Sequence, residues 1–578
     1  MRALRFLIVV AALAAAPLFL HGHVEQRINT SGGVVALSWP QGATITYRIN
    51  NQTGPGLPNM TAGSNPSTAI DNAFSTIGAA SGLNFVNGGT TSVTSVGTDG
   101  INLVTFANTA TNVAAVGGAT AIAVISFSTT TGTISEADIL FNPATSFSTT
   151  GSATEQDVES VALHEGGHSV GQNHSPHTHA TMFPFGAAGR TNLRTLSEDD
   201  RAGLRTLYPG ATGALFGTVT GLVQRSPTQP VFGAHVALQN AITGQATTGG
   251  VTFADGTFTI EGVLPGVYNV YVEPLDGPFP AGSLGGGIWN SANFDTTFRT
   301  TVVGGTATPL VIGVTLGATK NVGVITVGGP APTLNVTAAG LSNSPNGFSS
   351  LGGISAPLTP PYTQFFVVAG PGLNTLPDSA FSLDGPFCSI TGASTFSGIS
   401  GSVGFKLFPI SVDAATPPGG YTVRVQNGGE VAFMTGVIDV LPAAIPLPYT
   451  QPYLVACNGS TGPVTLSANG VPAIGNGAFS LTASGTQGGQ LGYLFISLLP
   501  DSLTLFTGCR IGVDLTNLVF PFPGLTFALS AASTTLPTPI PNDPGLAGVD
   551  LFVQFIAADP GAAPFGIGVS NGVAVHLQ

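Results

Sequence analysis

A chain of 578 residues is too long for one hydrophobic core, so three to five domains are expected. Gly (80) and Pro (43) are abundant, charged residues are 7% and hydrophobic residues 43%; this excludes the apolar-poor, highly charged composition of disorder and reads as turn-dense β-sandwiches. The net charge of −13, with two Lys and no basic run, argues against a nucleic-acid partner.

Arg2 and Arg5 precede an apolar run from Phe6 to Leu20. That is right for the core of a signal peptide and short for a membrane span. Residues 1–22 are therefore expected to be a signal peptide, cleaved between Ala16 and His23, and the mature chain to be secreted. Its loss removes two Arg and no acids, taking −13 to −15. An uncleaved anchor is the alternative. No later apolar run reaches membrane length, so no membrane span is expected.

Beyond residue 31, Ile45, Tyr47 and Ile49 alternate as in a half-buried strand. From Pro66 to Ala80, Ile70, Phe74 and Ile77 fall at helical spacing, with Pro in the first turn. Residues 101–106 and 119–127 read as strands. Thr154-Glu155-Gln156-Asp157 then opens a second helix, with Thr154 placed to cap it and Val158, Val161, Ala162 and Leu163 on its buried face.

That helix carries His164-Glu165-Gly166-Gly167-His168. Side chains four apart share a helix face, so His164 and His168 can grip one Zn2+. Gly171 can bend the chain sharply, because positive φ costs glycine nothing, and the bend would return His174 as a third ligand. Three protein ligands leave a fourth position open, the mark of a catalytic rather than a structural zinc. Glu165 is free to serve as general base. His177 and His179 could substitute as ligands, but spacing favours His174, and both read as exposed loop. Gly166 and Gly167 weaken a helix by roughly 1 kcal/mol each against Ala, which points to close packing beside the metal.

H-E-x-x-H-x-x-G-x-x-H, followed by Met182 in Ala180-Thr181-Met182-Phe183-Pro184, resembles the metzincin metalloproteases of the matrixin type. Ser175, next to the third His, fits the same pattern. The resemblance extends to residues 37–49, to 134–142 and to Leu196–Pro209, which looks like the last helix of such a domain, with Ser197 as cap and Leu204 and Leu207 facing the core. It implies an α+β metzincin-like catalytic domain with a twisted mixed sheet, a backing helix and an active-site helix. It also implies that 119–127 is the edge strand that substrate joins, that Met182 floors the ligands, and that Asp199 or Asp200 supports that floor; acids that simply favour a helix start are the equal alternative for these two. Animal matrixins hold a second, structural zinc with His, but no His lies between His23 and His164, so none is expected here. Ca2+ on Asp138 or Asp99 is weighed against solvated loop carboxylates, which are favoured. The family's cysteine switch is absent before Cys388.

Downstream, 216–221, 230–236, 255–260 and 264–270 resemble the strands of a carboxypeptidase regulatory-like β-sandwich, where His235 is an ordinary strand residue. Residues 329–442 loosely resemble an immunoglobulin-like module, and a Pro-rich linker leads to a last sandwich. The expected organisation is multidomain: 31–212 catalytic, then three all-β sandwiches at 213–328, 329–442 and 443–578. With three Cys, at least one is unpaired; Cys457 and Cys509 could pair.

The expected function is a secreted zinc endopeptidase cleaving extracellular proteins or peptides, with a cell-surface or matrix ligand for the C-terminal β-domains. Two rivals stand beside it. One is a surface adhesin or scaffold with a vestigial protease domain, whose binding would survive a chelator. The other is a zinc enzyme acting on a different amide, such as a cell-wall peptide.

Overall fold

The alternation at Ile45, Tyr47 and Ile49 builds the strand around which the first sheet forms. The computed structural model describes residues 24–52, 59–348, 350–444, 446–506, 508–521, 524–530 and 532–578. The expected signal peptide, residues 1–22, lies outside them. A short hairpin, β1 (Arg27–Thr30) and β2 (Gly33–Ala36), precedes β3 (Thr44–Asn50). The sheet adds β4 (Asn84–Thr91), β5 (Asn102–Thr105), β6 (Ala121–Phe127) and β7 (Ile134–Phe141) in the order β4-β3-β5-β7-β6. All pairings are parallel except that of β6, which runs antiparallel to β7 and ends the sheet on one side.

Helix α1 (Pro66–Ser81) lays Ile70, Phe74 and Ile77 into the core beside the inward residues of β3, as its 3.6-residue period requires. Following α2 (Ala110–Val116), α3 (Val158–Ser169) carries the histidines. Its cap is Asp157, not Thr154. The Asp157 carboxylate accepts the Ser160 N–H at 2.9 Å and is held from behind by Arg194, an arrangement the shorter hydroxyl three residues earlier does not have. In α4 (Glu198–Leu207), Ser197 and Asp200 form the expected reciprocal capping box, and Leu204 and Leu207 are buried. Asp138 also departs from expectation. It is buried, and its two oxygens accept the backbone N–H of Gly97 and Leu103, which folds the 97–103 loop over it. Asp99 is exposed.

Everything beyond α4 is largely β. Large apolar clusters gather residues 219–327, 334–440 and 464–577. One sheet passes from the first of these into the second: strand Gln245–Val251 pairs antiparallel with Gly419–Asn427, in register Gln245 to Tyr421 and Ala246 to Gly420. A disulfide joins Cys457 to Cys509, and Cys388 is a buried free thiol. Among the described residues, no helix is long and apolar enough to cross a membrane.

Candidate metal centre

Helix α3 is short and its last carbonyls are claimed from outside. The Trp39 indole donates to Ser169 O and the Tyr208 hydroxyl to Val170 O. The chain then turns at Gly171, where φ is +100° and a Cβ would stand 2.0 Å from Leu37 O, so only glycine fits. The turn brings His174 back to His164 and His168, and the ligating atoms of the three lie within 4.8 Å of one another.

Each imidazole is oriented by a backbone carbonyl. Nδ1–H donates to Thr181 O from His164 (2.7 Å), to Gln172 O from His168 (2.9 Å) and to Ser283 O from His174 (2.7 Å). That fixes the tautomer and leaves each Nε2 with a lone pair. Nε2 of His168 and Nε2 of His174 face each other at 3.2 Å. Two lone pairs so placed repel unless a cation sits between them, and two nitrogens about 2.05 Å from a tetrahedral zinc would be about 3.3 Å apart. Burial pushes all three imidazoles below the usual histidine range, His164 to about 4, so they are neutral donors. The residues present therefore fit zinc.

Glu165 is not one of the three clustered groups. Burial pushes its carboxyl up to about 8, against a hydrogen bond from the Ala123 N–H of β6. A cleft of about 710 Å³ runs between β6 and α3, with Glu165, the three histidines and Phe183–Ala187 on its walls.

The glycines beside the metal serve close packing. A Cβ on Gly166 would sit 2.4 Å from Ile77 Cδ1, and one on Gly167 2.3 Å from the Met182 sulfur. Met182 is thus buried directly beneath α3. Asp200 accepts the N–H groups of Thr181 and Met182, and Asp199 holds Ser175 Oγ at 2.6 Å. Both acids support the floor, not one of them.

His177 and His179 are not in an exposed loop. Both are buried, because Gly249, Gly420 and Gly436 of downstream strands pack over their rings and Thr178 bonds to Thr435 O. His235 lies in strand His235–Asn240, with Nδ1 2.8 Å from Glu273 Oε1. None of the three joins the metal cluster. Sequence reading missed Gln26, whose amide donates to His168 O and Gln172 O, and the Ser283 carbonyl. Gln26 lies ahead of the expected domain start, and a backbone carbonyl leaves no mark in residue identity.

Among solved structures, the dioxygenase domain of a dioxygenase–carbohydrate-binding fusion from the cellulolytic bacterium Streptomyces sp. SirexAA-E shares 21% identity over 21% of this chain and 85% of its own, at a TM-score of 0.11. The major pilin subunit BcpA of Bacillus cereus shares 14% identity over 63% of this chain and 95% of its own, at a TM-score of 0.12. Likenesses at these scores carry no argument about fold or function. Residues 38–209, which contain all three histidines and Met182, match the matrixin (peptidase M10) family model, so this stretch is a matrixin-type domain and supports a zinc-dependent metalloprotease at the level of the family.

Proposed function

We propose that the protein is a secreted zinc endopeptidase that hydrolyses peptide bonds of extracellular proteins, with Glu165 as general base. The observation that carries this reading is the facing pair of Nε2 lone pairs on His168 and His174, with His164 beside them and a free carboxylate next in sequence to the first ligand. His164, His168 and His174 would hold the metal. Zinc there would supply Lewis acidity to water and to the scissile carbonyl. The free side of β6 offers main-chain groups along the cleft to an extended substrate, which gives affinity with little sequence demand. Glu165 takes a proton from the attacking water and passes it to the leaving amine; its burial, which favours the protonated form, suits the second half of that exchange. Met182 touches no substrate and supports the ligands from below.

The N-terminal Arg-flanked apolar run supports secretion. The strand order downstream supports a carboxypeptidase regulatory-like module at 213–328 and an immunoglobulin-like one at 329–442, with a surface or matrix ligand among the rear segments. Metal analysis of the purified full chain, paired with casein zymography with and without a chelator, tests the central reading. One zinc per chain and chelator-sensitive clearing are expected. A chain that binds no zinc, or clears casein equally in chelator, is not this enzyme.

A further inference from the structure

Of the three imidazoles, only His174 is oriented from outside the matrixin-type stretch. His164 and His168 donate to carbonyls within it, whereas His174 donates to Ser283, 109 residues downstream. Ser283 ends a short 3-10 turn, Ala281–Ser283, and is followed by Leu284, which is fully buried. The neighbouring Gly285 carbonyl accepts from Asn173 Nδ2, and Gly285 itself lines the cleft.

The turn is clamped. The Trp289 indole N–H donates to Glu25 O at 2.7 Å, and its ring stacks on Phe253 at 5.4 Å. The Ile288 N–H donates to Arg27 O. Arg27 is itself buried and paired to Glu25. On the other side, Gln26 N–H donates to Gly171 O and Asn173 N–H to Val24 O. The segment 24–27 is thus sandwiched between the metal-binding bend and the 281–289 loop. Val24, Phe183, Val251, Phe253, Leu284 and Trp289 share one apolar cluster distinct from the core of either flanking unit.

A carbonyl behind a ligating imidazole sets its tautomer and ring plane, and losing such a partner typically weakens metal binding about 10–100-fold. We infer that the metal centre is completed by the downstream β-segment: the Ser283 carbonyl, held in place by Leu284 and Trp289, positions His174 as the third ligand. The residues 38–209 then lack one of the groups that make the site, and zinc affinity is a property of the joined segments. This rests on the zinc-peptidase reading above.

The test uses the full chain carrying Leu284→Ala and Trp289→Ala together, which frees the turn without touching a ligand. A second variant, Trp289→Phe, keeps a ring on Phe253 and loses only the bond to Glu25. The comparison variant is Phe258→Leu, in the core of the same β-segment and outside the clamp. Zinc affinity is read by competition with a chromophoric chelator, and ligand geometry by the visible absorption of the Co2+-substituted protein. The double variant is expected to lose about 10–100-fold in zinc affinity and to shift the Co2+ spectrum. Trp289→Phe is expected to show a smaller loss in the same direction, and it decides the matter should the double variant not fold. Phe258→Leu is expected to keep both readouts. Wild-type zinc affinity in the folded loop variants overturns the inference, as does an equal loss in Phe258→Leu, which would mark general destabilisation. Failure of the wild-type chain to bind zinc overturns the peptidase reading first, and is told apart by that measurement alone.

Discussion

Asp200 and Met182 are joined through the backbone: one carboxylate oxygen of Asp200 accepts the Met182 N–H at 3.0 Å and the other the Thr181 N–H at 2.8 Å. Thr181 in turn offers its carbonyl to His164. Helix α4 therefore sets the position of the residues beneath the three histidines. Burial and the neighbouring Asp199 push the Asp200 carboxyl above the usual range, so these donors work against desolvation. Asp200→Ala would leave two buried N–H groups without an acceptor, at about 1–3 kcal/mol each. A loss of roughly 3 kcal/mol in urea unfolding is expected, with Asp200→Asn intermediate.

Glu165→Ala separates binding from chemistry. The carboxylate is outside the metal cluster, so zinc content should stay at the wild-type level. Loss of a general base costs about 10²–10⁴-fold, and kcat/KM on a fluorogenic peptide should fall by that much. Near-wild-type turnover would remove Glu165 from the reaction.

The pH dependence of stability should report Asp138. Burial holds its carboxyl up at about 6, against hydrogen bonds from Gly97 and Leu103 and with Glu136 and Asp99 adding to the rise. The raised value means that the folded state keeps a proton the unfolded chain releases near about 3.9. The contribution is fully present below about pH 4 and is lost as pH climbs to about 6, then stays flat. Melting temperatures of wild type relative to Asp138→Asn should fall across that window and be level above it. A flat difference from pH 4 to 6 would contradict the assignment.

The disulfide between Cys457 and Cys509 closes a span of 52 residues. Loop-closure entropy for that length corresponds to about 4 kcal/mol. Cys457→Ala with Cys509→Ala should lower the unfolding transition of the C-terminal segment and leave peptide cleavage unchanged. Burial pushes the Cys388 thiol up to about 12, so a thiol reagent should label no cysteine in the native chain.

What could be read from the linear chain was whatever repeats locally. Two histidines one helical turn apart, a glycine at the bend, the stripe of Ile70, Phe74 and Ile77, and the Ser197–Asp200 box each state their geometry within a few residues. Cys457 and Cys509 were legible only as a pairing that chemistry allows. What escaped depends on contacts between residues far apart in the chain. His177 and His179 look like solvated loop because polar residues and Pro surround them, yet Gly249, Gly420 and Gly436 of distant strands pack over their rings and bury them. Thr154 and Asp157 are both good caps, and Arg194, 37 residues on, decides between them. The Ser283 carbonyl could not be foreseen, since every residue at that position would supply the same atom.

The pairing of Gln245–Val251 with Gly419–Asn427 also bears on solubility. A bare strand edge recruits edges of other molecules, and proteins commonly blunt it with lysine or other charge. This chain has two Lys and 7% charged residues, too few to guard its many strands in that way. By pairing Gln245 with Tyr421 and Ala246 with Gly420, the fold covers strand backbone that would otherwise invite fibrous self-association.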